Sequence, residues 1–443
     1  MAMVVKNNMQ AKRTLNELNR NEDKLKKAMK KLSTGMKINS AADDASGLSI
    51  AERMHVQMRS LDQDNSNVQN GSAMLQTAEG AVQSTVEVLT TLKEKAINAA
   101  NDSNTDADRA TIQKEFNQLI DQLDANADVR YNGQALLDGS KNHVVNEPGT
   151  CTYLANSHFR SDTDVMYSPM TVMSDNSGAS LGIQEDDTMT LSYVKDGKTY
   201  TKSLSPVGTN SLVDAMSYLC EKEGGGDQDL WVSSEFSSCI GQDRVGNLVY
   251  TPDGMPAVTL FADKPGVAGQ ISGVTLSFTR SDGTPNRSAN TVFNDFQEVI
   301  RAEIPSDDNA IVIQSGTRSN QAVKMSLSDM RATALGLKSF DGTYLSISNQ
   351  ECANAAINVL DAALKKATDQ ITDIGATNSR LEFTSSNVVL SSNNVQASVS
   401  TIQDADMAAE MTQYTKYNVI TQAAQSMLSQ ANQNSSAVLS LLQ

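Results

Sequence analysis

Between Met54 and Ala96 the sequence reads MHVQMRS-LDQDNSN-VQNGSAM-LQTAEGA-VQSTVEV-LTTLKEK-A, broken here every seven residues. Each block opens on an apolar residue: Met54, Leu61, Val68, Leu75, Val82, Leu89 and Ala96. A stripe of that period predicts a long helix with a partner, because an apolar stripe left in water is unstable. Near the other end of the chain, Leu360, Ala367, Ile374, Leu381, Val388, Val395 and Ile402 repeat the spacing. At about 1.5 Å of rise per residue, each spine is roughly 65 Å long. The two ends are expected to pair as an antiparallel coiled-coil rod, with the middle as an insertion.

Proline supports that division. All eight prolines lie between Pro148 and Pro305. One inside a helix costs about 3 kcal/mol, so proline-free flanks suit long helices. The fold class expected is mainly α, with an α+β middle. The segments are 1–41 as an N-terminal arm, 42–177 and 301–404 as the rod, 178–300 as a variable region, and 405–443 as a C-terminal arm.

Each arm has its own stripe. Leu18, Leu25 and Leu32 form one row; Leu15, Met29 and Met36 form a second, interrupted by Glu22. In the C-terminal arm, Tyr417, Ala424, Ala431 and Val438 make one row, and Ile420, Met427, Asn434 and Leu441 the other. Asn378, Ser385 and Ser392 lie beside the second spine, where polar residues weaken packing but fix register. Between arm and first spine, Gly35 can end one helix and Asn39 or Ser40 can cap the next. Asp43 and Asp44 then suit the positive end of a helix dipole better than a metal, for which no further ligands stand at useful spacing.

The middle shows strand patterns. Thr190–Val194 and Thr199–Ser203 flank Asp196-Gly197, a hairpin with a type I′ turn. Further strands are expected at Asp229–Val232, Leu248–Thr251, Ala257–Phe261 and Val274–Thr279. Helices are expected at Ser211–Lys222 and Thr291–Glu303, and a helical pattern again through Met325–Met330 and Ala332–Leu337.

Composition narrows function. A formal charge of −16 disfavours general nucleic-acid binding. Residues 1–60 hold twelve Lys or Arg against six Asp or Glu, but acids interleave and no aromatic stands among them for stacking on bases. Cys151, Cys220, Cys239 and Cys352 have no metal spacing; Cys220 could pair with Cys239 and Cys151 with Cys352, or all four could be free. His55, His143 and His158 are scattered, with no HExxH element, so neither metal, cofactor nor catalytic residues are expected. No apolar run is long enough to span a membrane, and the first 30 residues lack the apolar core of a cleavable signal peptide. Two weakly apolar arms bury too little alone to offset chain entropy. They point to a self-assembling protein whose different surfaces meet in a helical array.

Several stretches are longer than chance provides: MAMVV at 1–5, LSTGMKINSAADDASGLSIAER at 32–53, QTAEGA at 76–81, MRATALG at 330–336, ITDIGATNSRL at 371–381 and IQDAD at 402–406. In these the chain closely resembles bacterial flagellin, over roughly 1–140 and 325–443. The resemblance implies a structural subunit of the extracellular flagellar filament, serving motility, with copies of itself as partners. It implies arms lining the inner tube through Leu18, Leu25, Leu32, Ile420, Met427 and Leu441. It also implies type III export, an export chaperone on about 405–443, and filament cap and hook-associated proteins. Rival readings are the hook–filament junction protein, and a filament subunit whose middle serves as an adhesin through Trp231 and nearby tyrosines.

Many flagellins are sensed by a host Toll-like receptor through a stretch matching Leu89–Asn98. Leu89, Glu94 and Ala96 agree with that stretch, Lys93 replaces an arginine, and Glu115 on the next helix agrees. Thr91 stands where the key arginine would be, and Lys95 where a leucine would be. Losing a guanidinium removes a planar fork of donors, and a lysine puts charge where apolar burial is expected. A patch of Leu89, Thr91, Leu92, Lys93, Lys95 and Glu115 is thus expected to face the receptor and activate it weakly.

Overall fold

The structure, a computed structural model, describes residues 8–159, 167–221, 228–233, 237–251 and 254–441. Its helices are α1 (Met9–Thr34), α2 (Ala45–Ala100), α3 (Asp106–Ala127), α4 (Leu212–Cys220), α5 (Arg287–Phe293), α6 (Gln350–Gln403) and α7 (Met407–Leu441). The strands are β1 (Arg130–Tyr131), β2 (Gln134–Ala135), β3 (Tyr153–Asn156), β4 (Thr188–Lys195), β5 (Lys198–Leu204), β6 (Leu230–Val232) and β7 (Cys239–Gln242). They continue with β8 (Leu248–Tyr250), β9 (Val258–Ala262), β10 (Ile271–Thr279), β11 (Gln297–Ile300), β12 (Ile311–Gln314) and β13 (Ala322–Met325). Two compact units result: a terminal unit of 8–69, 314–321 and 383–441, and a central unit of 70–313 and 322–382.

In the terminal unit, α1 and α7 run antiparallel. Lys31 pairs with Glu410 at 3.0 Å, and Lys24 Nζ lies 5.5 Å from the centre of the Tyr417 ring. Both turns beyond these helices are stapled together: the Lys37 N–H donates to the Gln403 carbonyl and the Ala405 N–H to the Gly35 carbonyl, each at 2.8 Å. Asp44, rather than Asn39 or Ser40, caps α2. Its carboxylate accepts the N–H groups of Ser46 and Gly47, both at 3.0 Å. Those bonds, chiefly that from Gly47, hold the Asp44 carboxyl below its usual range. Asp43 instead accepts from the Asn39 N–H and the Ser40 hydroxyl, which folds the turn.

In the central unit, α3 folds back along α2. Asn126 donates to Ser84 at 3.1 Å, Lys95 pairs with Glu115 at 2.8 Å, and Arg109 donates to the Ala99 carbonyl at 2.9 Å. Lys338 fixes a following loop to α3 through Asp121 (3.0 Å) and Asp124 (3.3 Å). Burial raises the Asp121 carboxyl, but its bonds from Lys338 and Tyr344 outweigh that and leave it below the usual range. The two larger sheets have strand orders β10-β4-β5 and β11-β3-β9-β6, beside the two-stranded pairs β1-β2, β7-β8 and β12-β13. The second includes β3, upstream of residue 178. A core of Phe278, Phe293, Phe159, Leu191, Met216 and Leu260 is shared by these strands and α4 and α5.

The expected β4–β5 hairpin forms, with positive φ at Asp196 (51°) and Gly197 (68°) as a type I′ turn requires. Other expectations need correction. The helix expected over Thr291–Glu303 ends at Phe293, and Gln297–Ile300 is a strand. Asn290 and Asn294 turn their side chains to the backbone N–H groups of Phe278 and Leu276, at 2.6 and 2.9 Å, and β11 then pairs with β3. Residues 326–337 form a buried irregular segment instead of a helix. The Leu327 and Met330 N–H groups donate to the carbonyls of Lys141 and Leu137, and the Ala332 N–H to Asp124, bonds that compete with a helix. All four cysteines are free, and burial pushes the Cys220 thiol up to about 12.

Gly273 interrupts β10 at φ +64°, where an added Cβ would meet the Ala355 carbonyl oxygen at 2.5 Å. Strand and α6 therefore pack backbone against backbone. Gly273→Ala is expected to cost the central unit at least about 1 kcal/mol through backbone strain, read as a lower urea midpoint by fluorescence of Trp231, the lone tryptophan.

Candidate assembly surfaces and receptor-facing patch

In the first spine row, Met54 is half-buried, while Leu61, Val68, Leu75, Val82, Leu89 and Ala96 are buried. Leu360, Ala367, Ile374, Leu381 and Val388 are buried in α6, and Val395 and Ile402 half-buried. The polar residues beside the rows set the register. In the central unit the Ser72 hydroxyl donates to Asn378 at 2.6 Å, and Lys93 pairs with Asp361. In the terminal unit Ser385 donates to Asn65 at 2.8 Å and Ser392 to Asp62 at 3.1 Å. Each of these pairs matches an advance along α2 with a retreat along α6, so within each unit the two helices are antiparallel.

A second row on α2 escaped the sequence reading. Asp64, Gly71, Ala78, Thr85, Leu92 and Ala99 keep a seven-residue spacing and are all buried. Glycine, alanine, threonine and aspartate do not read as an apolar stripe; the only signal was their register with Leu92. Gly71 belongs there for space, since a Cβ would meet the Ile313 side chain at 2.6 Å. Asp64 is the anomaly. It is 5% exposed, and its Oδ2 has no hydrogen-bond partner among the described residues. Burial raises its carboxyl above the usual range. No residue of α6 from 383 to 403 carries a charge to offset this.

The arms pack by one face each. Leu18 and Ala28 are buried and Leu25 and Leu32 half-buried, whereas Leu15, Met29 and Met36 are exposed. On α7, Tyr417, Ile420, Ala424, Leu428 and Ala431 are half-buried and Thr421 is buried. Met427 is 66% exposed, with Met411 and Val419 also exposed. The side chains of Val438 and Leu441, and the MAMVV stretch, lie outside the described residues. So does Lys222, at the end of the helix expected from Ser211.

The expected receptor-facing patch divides. Leu89 and Leu92 are fully buried and belong to the helix packing, a correction to the sequence reading. The helical period turns both toward α3 and α6 while leaving Thr91, Lys93 and Lys95 at the rim. The rim is tied to itself. Thr91 donates to the Glu87 carbonyl at 3.0 Å, Lys93 pairs with Asp361, and Lys95 with Glu115.

Elsewhere in the central unit, a cavity is lined by Arg244, Glu298, Arg301, Lys365 and Asp369, and within it Arg301 pairs with Asp369 at 2.7 Å and with Glu298 at 3.7 Å. His143 faces Glu303 at 2.8 Å and His158 faces Asp295 at 2.6 Å. Among the described residues no group of three or more His, Cys, Asp or Glu could hold a metal, and no helix is long and apolar enough to cross a membrane.

A family profile for the bacterial flagellin N-terminal helical region matches residues 5–142, and one for the C-terminal helical region matches 357–442. Flagellin of Clostridium tyrobutyricum is 30% identical over 435 residues, covering 97% of this chain and 99% of that protein. Flagellin B of Vibrio anguillarum is 29% identical over 448 residues, covering 100% of each. Among solved structures, FliC from Burkholderia pseudomallei is similar at 17% identity and a TM-score of 0.28, over 70% of this chain and 99% of that one.

Proposed function

The chain belongs to the bacterial flagellin family, whose members are structural subunits of the flagellar filament, and from that premise we propose how this subunit assembles and what it meets. The outward faces of α1 and α7 bury against neighbouring copies in the filament's inner tube. One observation carries this reading: the paired arms leave Met9, Leu15, Met29, Met411, Val419 and Met427 exposed, large apolar side chains without cover in the single chain. A second copy offers such cover repeatedly, and contacts between unlike surfaces propagate as a helix. Export through the flagellar type III apparatus delivers the chain to the extracellular filament, an export chaperone holds 405–443 beforehand, and cap and hook-associated proteins bound the array.

Electron microscopy of purified chain seeded with filament fragments tests this. Tubes are expected from the full chain, and none from a chain cut after Asp406, which lacks α7. A full chain that stays monomeric under seeding would remove the reading. The junction-protein alternative predicts few copies at one end of an isolated flagellum rather than along its length.

The receptor reading is narrower and rests on the Lys95–Glu115 ion pair and on Thr91. A receptor asking for a guanidinium and an apolar neighbour finds a hydroxyl and a lysine already engaged. In a Toll-like receptor reporter assay the chain is expected to be a weak agonist, and Thr91→Arg with Lys95→Leu to raise its potency by about tenfold or more, one lost charged hydrogen bond being worth roughly that factor. Equal potency of parent and double variant would sink this reading.

A further inference from the structure

Among the described residues, most of the exposed methionines lie on the two arms. Met9 (55% exposed), Met29 (55%), Met407 (46%), Met411 (54%) and Met427 (66%) project from α1 and α7, whereas Met170, Met189, Met216 and Met330 of the central unit are fully buried. Met255, 45% exposed, is an exposed methionine of the central unit. A thioether reacts with a peroxide according to its access to solvent. The sulfur gains an oxygen and becomes a sulfoxide, while the peroxide O–O bond breaks and the reduced oxygen leaves as water. Met36 should react more slowly, because its sulfur accepts a hydrogen bond from Gln403 Nε2 at 3.0 Å.

We propose that these five arm methionines are a peroxide-labile modification site that switches self-assembly off. The inference rests on the reading of the arms as assembly surfaces. Oxidation replaces a flexible apolar side chain with a polar one. Burying several sulfoxides at once against a neighbouring copy leaves their oxygens without the water they bind in the monomer. The same groups are shielded once assembled, so the filament resists an oxidant that disables its free subunit. Each sulfoxide is reducible to the thioether by methionine sulfoxide reductases, which makes the switch reversible.

The experiment treats the full-length monomer with hydrogen peroxide, maps oxidation at each methionine by peptide mass spectrometry, and measures seeded polymerisation by sedimentation. Among the described methionines, oxidation is expected first at the five arm positions and Met255, with the critical concentration raised about tenfold or more. Reductase treatment is expected to restore assembly. A variant with leucine at all five arm positions should assemble and ignore peroxide; should it fail to assemble, reductase rescue of the parent still decides. In preformed filaments Met255 should react and the arm positions should not. An oxidised parent that assembles like the untreated one overturns the proposal, as does a leucine variant equally sensitive to peroxide, or loss of assembly that reductases do not reverse. An untreated parent that never assembles removes the assembly reading itself, and this inference with it.

Discussion

Replacing Leu89 by alanine is expected to cost the central unit about 2–5 kcal/mol, the range for deleting a buried leucine side chain. The residue has no exposed surface. The register set by Lys93 with Asp361 and Lys95 with Glu115 places it level with buried Ala363 and Ala367 on α6 and with Ile120 on α3. Those three helices can close over a missing isobutyl group only in part, so a cavity persists and its lining loses contacts. Urea unfolding followed at Trp231 should show a markedly lower midpoint with an unchanged slope. A loss of receptor activity in this variant would then report the packing beneath the rim, not a lost contact. A change below about 0.5 kcal/mol would contradict the burial, since that is the range of exposed substitutions.

Asp64 should act in the opposite direction. Asp64→Ala is expected to stabilise the terminal unit by about 1–3 kcal/mol near neutral pH, the cost of a buried polar group left unsatisfied. The sign of the pH dependence follows from its raised carboxyl. The folded chain holds this proton to higher pH than the unfolded chain does, so its stabilising effect is full below the ordinary aspartate range. It is lost as pH rises through the elevated folded value. Helix loss on heating, followed by circular dichroism, should therefore come at a lower temperature at pH 7 than at mildly acidic pH in the parent. The alanine variant should lose that contribution. Identical pH profiles for the two proteins would mean that Asp64 is solvated or paired in solution.

The pairing of the chain ends was legible in the sequence because a seven-residue apolar period has few other uses. Leu61 through Ala96 and Leu360 through Val388 are the buried seams that the period implies. Asp196-Gly197 was legible for a similar reason, since two adjacent positive φ angles favour that dipeptide. Local chemistry was enough in both cases. The second row on α2 was not legible, because Gly71 and Thr85 are inside through what packs on them and carry little apolar signal of their own.

Tertiary structure decided the rest. Residues 326–337 have helical spacing, yet Leu137, Lys141 and Asp124 take their backbone donors and hold them in an irregular path. Gln297–Ile300 became a strand because β3 offered an edge. The motifs at Leu89–Asn98 suggested a receptor-facing stretch, but the packing of α3 and α6 turned Leu89 and Leu92 inward and left Thr91, Lys93 and Lys95 at the surface. By itself the sequence determined which residues repeat, and hence that the chain ends form paired helices. Which faces are covered, and which await another molecule, depends on neighbours distant in sequence, and burial is a property of those neighbours as much as of the residue itself.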